Sequence, residues 1–263
     1  MPVTTPWALG DYHAFAQATV WEVGPVLVKA CGIGPGDRVL DVAAGTGNTA
    51  IRAAEAGAKV VASDITPENF EAGRHEAARR GVEVAWVEAD AQNLPFDDDS
   101  FDAVTSSFGA IFAPDHRAVA DEMLRVCRPG GTVGMANFTP TQLGEFFGVL
   151  APYAPPPEGP PPGLWGTEEH LGELFGDRVA ELAITPGTYV ERADGPEAYR
   201  ELFKATFGPV VAIYEALADD PARRERLDAD FLDFARRANR GAPGGPAEYP
   251  YDYVLVIARA HPA

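Results

Sequence analysis

Residues 38–48 read Arg-Val-Leu-Asp-Val-Ala-Ala-Gly-Thr-Gly-Asn and constrain the fold more than any other segment of the chain. The apolar side chains of 38–42 predict a short strand, and the residues from Asn48 onward predict a helix. Between them, Gly45 and Gly47 allow a tight turn with positive φ angles and a close approach of the backbone to a ligand. A strand that runs into a glycine-rich turn and a helix N-terminus can hold a nucleotide-like ligand.

The turn alone leaves several ligands open. Gly45, Gly47 and Ala50 match the dinucleotide fingerprint G-x-G-x-x-A, and Asp64 lies well downstream as an acid that could bind a ribose. However, Asp41 precedes the glycines, and an acid there is a poor neighbour for a pyrophosphate and a good one for a cationic amino acid head. A tight strand–helix turn without any ligand is the third possibility.

Acidic residues also end the next two predicted strands. Residues 59–63 form an apolar run that ends at Asp64, whose carboxylate could accept hydrogen bonds from both ribose hydroxyls. Ile65 follows it and could lie against an adenine face. After the third strand, Asp90 could accept a hydrogen bond from an adenine amino group, and the Ala91 amide could donate one to a ring nitrogen.

Several of these segments together resemble one enzyme superfamily. The run at 38–48 resembles the first motif of class I S-adenosyl-L-methionine (SAM) methyltransferases, in which an acid precedes G-x-G. The run Leu-Arg-Val-Cys-Arg-Pro-Gly-Gly at 124–131 resembles their L-R-x-L-x-P-G-G motif, and Leu-Pro-Phe at 94–96 followed by Ser-Phe-Asp at 100–102 has the same likeness. Together these motifs resemble the ubiquinone/menaquinone-biosynthesis branch, which acts on small molecules. The resemblance is close over about 37–138 and loose over the rest of the chain.

This resemblance implies a fold, a cofactor and a set of contacts. The fold would be α/β, a Rossmann-like doubly wound and mostly parallel sheet with an antiparallel last strand and a helical cap. The cofactor would be SAM, and no metal is implied. The predicted cofactor-binding residues are Asp41, Ala43, Gly45, Gly47, Asp64, Ile65, Asp90, Ala91, Ser107 and Tyr12.

The chain is expected to divide into a core and three kinds of flanking segment. The predicted units are a helical cover segment at 1–36, a SAM-binding core at 37–138, a proline-rich lid loop at 139–166, and the rest of the sheet at 167–263 with a helical cap insertion at about 195–240. The lid would leave the carboxyl end of the fifth strand, where open α/β sheets bind their ligands.

The acceptor is expected to be a small apolar or aromatic molecule. This follows from the aromatic side chains of the lid and the cap, which are Tyr153, Trp165, Tyr199, Phe203 and Phe207. A sulfonium methyl group is already electrophilic, so the protein mainly aligns it and excludes water. A general base would assist only if the acceptor is a phenol or an acidic carbon.

His116 and His13 are the predicted catalytic bases, and His116 is favoured because it follows the tip of the fourth strand. Two other functions stay open at this point. One is a nicotinamide-dependent oxidoreductase, which the dinucleotide fingerprint allows. The other is a SAM-binding protein or a cyclase on the same scaffold that transfers no methyl group.

Composition and charge argue against several classes of binding partner. The formal net charge is −18 and the pI is about 4.6, so the chain repels nucleic acid at long range. No apolar run is long enough to span a membrane. The first five residues do not resemble a signal peptide, which predicts a cytoplasmic location. Cys31 and Cys127 form no metal-binding pattern.

Overall fold

The computed structural model describes residues 5–263, except for the side chain of Gln142, and is built around one seven-stranded sheet. Residues 1–4 of the predicted cover segment lie outside this range. The strands are β1 Arg38–Val42, β2 Lys59–Asp64, β3 Val84–Glu88, β4 Phe101–Ser107, β5 Cys127–Phe138, β6 Val179–Ala193 and β7 Ala247–Ala260.

The strand order is β3-β2-β1-β4-β5-β7-β6. β1 to β5 are parallel, whereas β7 runs antiparallel to both of its neighbours, with Met135 of β5 opposite Val256. The order reverses between β1 and β4, and such a switch point leaves a crevice outside the carboxyl ends of the strands. This confirms the predicted Rossmann-like sheet with an antiparallel strand inserted beside the fifth.

Helices cover both faces of the sheet. They are α1 Tyr12–Ala18, α2 Val23–Cys31, α3 Asn48–Glu55, α4 Phe70–Arg79, α5 His116–Val126, α6 Pro140–Leu150, α7 Glu168–Leu174, α8 Pro196–Thr206, α9 Gly208–Ala216 and α10 Pro221–Ala238. Successive residues of a strand point to opposite faces. Accordingly, Val39 packs with Leu27 and Ile51 in one apolar cluster, and Leu40 packs with Met123 in another.

Helix starts follow local chemistry. α5 begins after Asp115, whose side chain accepts a hydrogen bond from the Ala118 amide at 2.9 Å. α10 begins after Asp220, which caps the Arg223 amide, and Pro221 occupies the first helical position. These caps explain why the sequence places helices at these points.

The segment 139–166 differs from the extended loop that its prolines suggest. It starts with α6, because Pro140 suits a first helical turn and Leu143, Phe146 and Leu150 recur at helical spacing and are buried. β6 runs without a break through Pro186. β6 lies at the edge of the sheet, where a proline removes no bond that the ladder needs.

A third apolar cluster joins the segment 195–240 to the rest of the molecule. As predicted, this segment is helical, and it holds α8, α9 and α10. Phe203 of α8 and Phe231 of α10 pack with Phe146 of α6 and Phe15 of α1, with ring centroids 5.1–5.9 Å apart. α6 and the three later helices therefore form one aromatic-rich layer beside the sheet.

Trp165 belongs to the core and not to a lid surface. Its exposed fraction is 0%, its ring centroid lies 5.2 Å from that of His116 and 6.3 Å from that of Phe175, and Asn137 donates a hydrogen bond to its carbonyl at 3.0 Å. The expectation that this tryptophan covers the acceptor is therefore wrong.

We predict that Trp165→Ala lowers the free energy of unfolding by about 3–5 kcal/mol, because the change leaves a cavity in a fully packed region. Urea denaturation followed by circular dichroism measures this. Val26→Ala is the matched control, because Val26 is 41% exposed and should lose little. Equal midpoints for the two variants would contradict the assignment of Trp165 to the core.

Candidate functional site

A cavity of about 480 Å³ lies at the carboxyl ends of the parallel strands, and we call it the main cavity. Seven of the ten predicted cofactor-binding residues line it: Tyr12, Ala43, Gly45, Asp64, Ile65, Asp90 and Ala91. Its other side is mostly aromatic, with Phe138, Phe146, Tyr189, Phe203, Phe207 and Tyr251. One cavity thus joins a polar end and an aromatic end.

The turn after β1 is shaped for close contact. Ala43 and Gly45 both have positive φ, at 52° and 55°. A Cβ atom on Gly45 would lie 2.5 Å from a ring carbon of Tyr12, and one on Gly109 would lie 2.3 Å from the Ala43 carbonyl oxygen. Glycine is needed at both positions, and the turn, Tyr12 and the tip of β4 form one wall of the main cavity.

Gly47 does not have the position that the motif suggested. It lines neither the main cavity nor the small pocket defined below. A Cβ on Gly47 would lie 2.6 Å from the Trp86 indole ring, and its φ is 84°. Gly47 therefore makes room for a core tryptophan and begins α3, so its contribution to a ligand site is through the backbone turn.

Asp64 holds the turn against the end of β2. Its two carboxylate oxygens accept hydrogen bonds from the Gly45 amide at 2.7 Å and from the Thr66 amide at 2.8 Å. Burial raises the pKa of Asp64 above its ordinary value, against the effect of these amides. The Thr66 hydroxyl and the Ile65 amide also favour its ionised form, and Asp64 lines the main cavity beside Gly45.

Asp90, the third acidic residue, is held in place by hydrogen bonds within its own turn. Asp90 accepts hydrogen bonds from the backbone amide of Gln92 at 2.9 Å and from its side-chain amide at 3.1 Å. Ala91 lies beside it, and Ile65, which is 49% exposed, lines the same end of the main cavity. The structure therefore brings Asp64, Ile65, Asp90 and Ala91 together in the lining of the main cavity.

A small pocket adjoins the main cavity through Tyr12 and Ala43. Asp41 lines it and is only 2% exposed. This carboxylate accepts hydrogen bonds from the Ala50 amide at 3.0 Å and the Thr105 hydroxyl at 2.8 Å. Burial nevertheless raises its pKa to about 7.

Three further polar atoms in the small pocket are buried without a hydrogen-bond partner among the described residues. They are Asn48 Oδ1, Thr49 Oγ1 and Ser107 Oγ. Unpaired buried polar atoms are rare and call for an explanation. The small pocket measures only about 10 Å³, so it admits a water-sized group. An ammonium group, such as that of SAM, fits there as a donor to the amide and hydroxyl oxygens and as a cation beside Asp41.

Neither histidine that was predicted as a base reaches the main cavity. His116 is buried in the core, its Nδ1 lies 2.8 Å from His170 Nε2, and burial lowers its pKa to about 4. His13 Nδ1 lies 3.1 Å from the Thr46 hydroxyl, and its ring meets Trp21 edge-on. Since neither side chain lines the cavity, their assignment as catalytic bases is corrected here.

Glu191 is a functional candidate that the sequence interpretation missed. It lines the main cavity, although only 4% of it is exposed. Tyr199 donates a hydrogen bond to its Oε2 at 2.8 Å, and Tyr189 donates one to its Oε1 at 3.0 Å. Burial raises its pKa to about 7. The only local signal was Tyr-x-Glu at 189–191, which puts both side chains on one face of a strand.

Fewer of the predicted aromatic residues line the aromatic end of the main cavity than the sequence suggested. Of the five aromatic residues predicted to enclose the acceptor, Phe203 and Phe207 line the main cavity, whereas Trp165, Tyr199 and Tyr153 do not. Tyr199 is fully buried beneath the cavity wall, and the Tyr153 hydroxyl bonds Asp230 at 2.6 Å. Phe138 lines the aromatic end instead, and its ring stacks on that of Phe108 with the centroids 4.1 Å apart.

Comparison with known proteins identifies the family. A family model described as "Methyltransferase domain" matches residues 39–131. An uncharacterized protein of Mycobacterium tuberculosis is 44% identical over 242 residues, which cover 89% of this chain and 88% of the relative. A demethylmenaquinone methyltransferase of a Mycobacterium species is 50% identical over 170 residues, or 65% of this chain and 64% of that protein. The chain belongs to the class I SAM-dependent methyltransferases.

The solved structures agree with this class I methyltransferase fold. The YcgJ protein from Bacillus subtilis superimposes with a TM-score of 0.63 at 21% identity, over 92% of this chain and all of that chain. At this level of identity the likeness concerns the fold. The likeness to the ubiquinone/menaquinone-biosynthesis branch, expected from the motifs, is confirmed by the demethylmenaquinone methyltransferase relative.

Neither a membrane-spanning helix nor a metal-binding cluster is found in the part of the chain that the structure describes. Over residues 5–263, no helix combines the length and apolar character that crossing a membrane requires. Over the same residues, no cluster of three or more His, Cys, Asp and Glu side chains is arranged to hold a metal ion.

We predict that His116 makes the stability of the fold fall between pH 6.5 and about 4. An unfolded His protonates near its ordinary pKa of about 6.5, whereas folded His116 stays neutral down to about 4. Its contribution is complete above pH 6.5, and the free energy of unfolding falls below that by up to about 1.4 kcal/mol per pH unit. Urea denaturation of His116→Phe should show a shallower decline.

His75→Gln is the control for this prediction. The His75 side chain is 80% exposed, so its removal should leave the pH dependence of the wild type nearly unchanged. A His116→Phe curve parallel to the wild-type curve would show that His116 does not carry this pH dependence.

Proposed function

We propose that this methyltransferase moves the methyl group of SAM to a small apolar or aromatic molecule held at the aromatic end of the main cavity. One observation carries the proposal: a single cavity connects the glycine turn, Asp64 and Asp90 with a chamber walled by Phe138 and Phe203. A donor and an acceptor bound at these two ends would share one enclosed space. The acceptor's class follows from the apolar wall that it would face.

In this proposal, each part of SAM has a matching group. Ile65, Asp90 and Ala91 would hold the adenine, and Asp64 would accept hydrogen bonds from the ribose. Asp41 and the unpaired buried atoms of the small pocket would receive the ammonium group of the amino acid head. Tyr12 borders both spaces and would lie between the head and the acceptor chamber.

SAM, when bound, supplies an electrophilic sulfonium methyl group. The chain's own residues then have two tasks, which are to align the acceptor and to exclude water. Phe138, Phe203 and Phe207 would do both, because they present a dry wall without competing nucleophiles. Alignment in such a chamber replaces a bimolecular encounter with an oriented pair, which is worth about 7–11 kcal/mol of the barrier at best.

The structure gives the oxidoreductase alternative less support. Asp41 is buried directly behind the glycine turn, where a dinucleotide would bring its pyrophosphate. A second carboxylate, Asp64, contacts the amide of Gly45 and thereby occupies a donor that a phosphate would need. Both features favour a cationic over an anionic group at the turn.

We predict that SAM binds, that NADPH does not, and that Asp64→Asn weakens SAM binding by about 1.5–3 kcal/mol through loss of a charged acceptor. Isothermal titration calorimetry measures all three. Asp98→Asn is the matched control, because the Asp98 side chain is 72% exposed and pairs with Arg125. Micromolar binding of NADPH without binding of SAM would overturn the proposed function.

We also predict that Phe203→Ala raises the KM of the acceptor at least several-fold and leaves the Kd of SAM nearly unchanged. A screen of small aromatic alcohols and amines with methyl-labelled SAM provides the acceptor. Phe231→Ala is the control, because Phe231 packs on Phe203 with centroids 5.8 Å apart but does not line the main cavity. Both variants should melt earlier, as large-to-small core changes do. If both share one KM, Phe203 is purely structural.

A further inference from the structure

Glu191 is the buried carboxylate at the aromatic end of the main cavity. The other acidic residues in the lining are Asp64, Asp90 and Glu158. Asp64 and Asp90 belong to the polar end, where they bind backbone amides, and Glu158 is exposed in the proline-rich segment. A buried carboxylate facing an apolar chamber is costly unless it has a task or a partner there.

Its hydrogen bonds leave it able to accept more. Tyr199 has one hydroxyl proton and gives it to Oε2 of Glu191, so the 2.8 Å contact between the Tyr199 and Tyr251 hydroxyls has Tyr251 as its donor. Tyr189 donates to Oε1. The carboxylate therefore receives two hydrogen bonds, while its oxygens can accept about four.

An aromatic wall leads from Glu191 to the turn that would hold the methyl donor. The Tyr189 ring lies 5.9 Å from Phe108 and 6.3 Å from Phe138 between centroids. Phe108 precedes Gly109, which packs on the Ala43 carbonyl of the turn. Tyr12, which packs on Gly45, lines the same cavity as Glu191. An acceptor in this space would lie between the turn and the carboxylate.

We propose that Glu191 is the general base of the methyl transfer, and that the acceptor is an apolar molecule with a weakly acidic hydroxyl group. This rests on the proposed function. The acceptor oxygen forms a bond to the methyl carbon, the carbon–sulfur bond breaks with its electron pair going to sulfur, and the hydroxyl proton passes to Glu191. The products are a methyl ether, S-adenosylhomocysteine and protonated Glu191, which later returns its proton to water.

The surroundings of Glu191 favour a base of near-neutral strength. The titratable groups around it are Tyr189 on its own strand, Tyr199 on α8, and Tyr249 and Tyr251 on β7, with Tyr12 of α1 acting on Tyr189. The charge of Glu145 on α6 raises the pKa of Tyr251, and the charge of Glu197 on α8 raises the pKa of Tyr249. Burial raises the pKa of Glu191 to about 7, although hydrogen bonds from Tyr199 and Tyr189 lower it. General bases work best near the operating pH.

The pH dependence has a defined sign. Glu191 can take a proton only when it is ionised, so the methylation rate should rise as the pH increases through about 7 and then level off. A residue that merely supports the wall would not produce this rise.

The experiment compares Glu191→Gln with Glu181→Gln, a change at an exposed position of the same strand. 2-Naphthol and 1,4-dihydroxynaphthalene serve as acceptors with methyl-labelled SAM, between pH 5.5 and 9. We expect Glu191→Gln to lower the rate about 100-fold or more and to abolish the rise with pH, with the Kd of SAM unchanged. Glu181→Gln should behave as the wild type, and melting temperatures confirm that both variants are folded.

A binding measurement complements the rates. With S-adenosylhomocysteine present, the wild type should bind 2-naphthol about tenfold more tightly than 2-methoxynaphthalene, which has no proton to donate. Glu191→Gln should lose most of this preference. This binding comparison tests the role of Glu191 even if neither naphthol is methylated.

The outcomes separate the two proposals. If the wild type does not bind SAM, the proposed function fails and the role of Glu191 fails with it. If SAM binds but Glu191→Gln keeps the rate and the rise with pH, the role as base is overturned while the function stands. Where neither naphthol is methylated, equal affinity of the wild type for the naphthol and its methyl ether overturns the inference.

Discussion

The arrangement at the centre of the sheet depends on the buried carboxylate of Asp41. It stands on β1, accepts a hydrogen bond from Thr105 of β4 and another from the Ala50 amide of α3. Three elements are therefore joined at the point where the strand order reverses. Burying this charge is expensive, as its pKa of about 7 indicates, and a cationic ligand in the small pocket would offset that expense.

The other end of the main cavity depends on a different constraint, the antiparallel insertion of β7. β5 ends at Phe138, which pairs with Tyr253, but β7 and β6 remain paired beyond this point, from Tyr251 with Tyr189 to Ala247 with Ala193. Because β6 runs parallel to β5, this two-stranded arm extends past the carboxyl edge of the sheet. It carries Tyr189, Glu191 and Tyr251 to the space above the strand ends, where α8 closes on them through Tyr199.

The accuracy of the sequence-based predictions follows the range of the interactions involved. The placement of Asp64, Asp90 and Gly45 at one cavity was predictable, because each follows the end of a strand or belongs to a known motif. The contact of Gly47 with Trp86 could not be predicted, because Trp86 comes from a distant strand. For the same reason, the roles of Trp165 and His116 were predicted wrongly and Glu191 was missed. Whether an aromatic or titratable side chain points into a core or a cavity is decided by long-range packing, such as the register of β6 on β7.

The two buried carboxylates illustrate how surroundings assign tasks to chemically similar groups. Burial raises the pKa of both Asp41 and Glu191 to about 7. Asp41 adjoins unpaired buried atoms that suit an ammonium group, and such a bound cation would keep it ionised. Glu191 is surrounded by tyrosine hydroxyls and aromatic rings, so a proton is the cation that it can most readily receive. In the proposed function, cation binding in the small pocket and proton transfer at the aromatic end of the main cavity would therefore take place at separate positions.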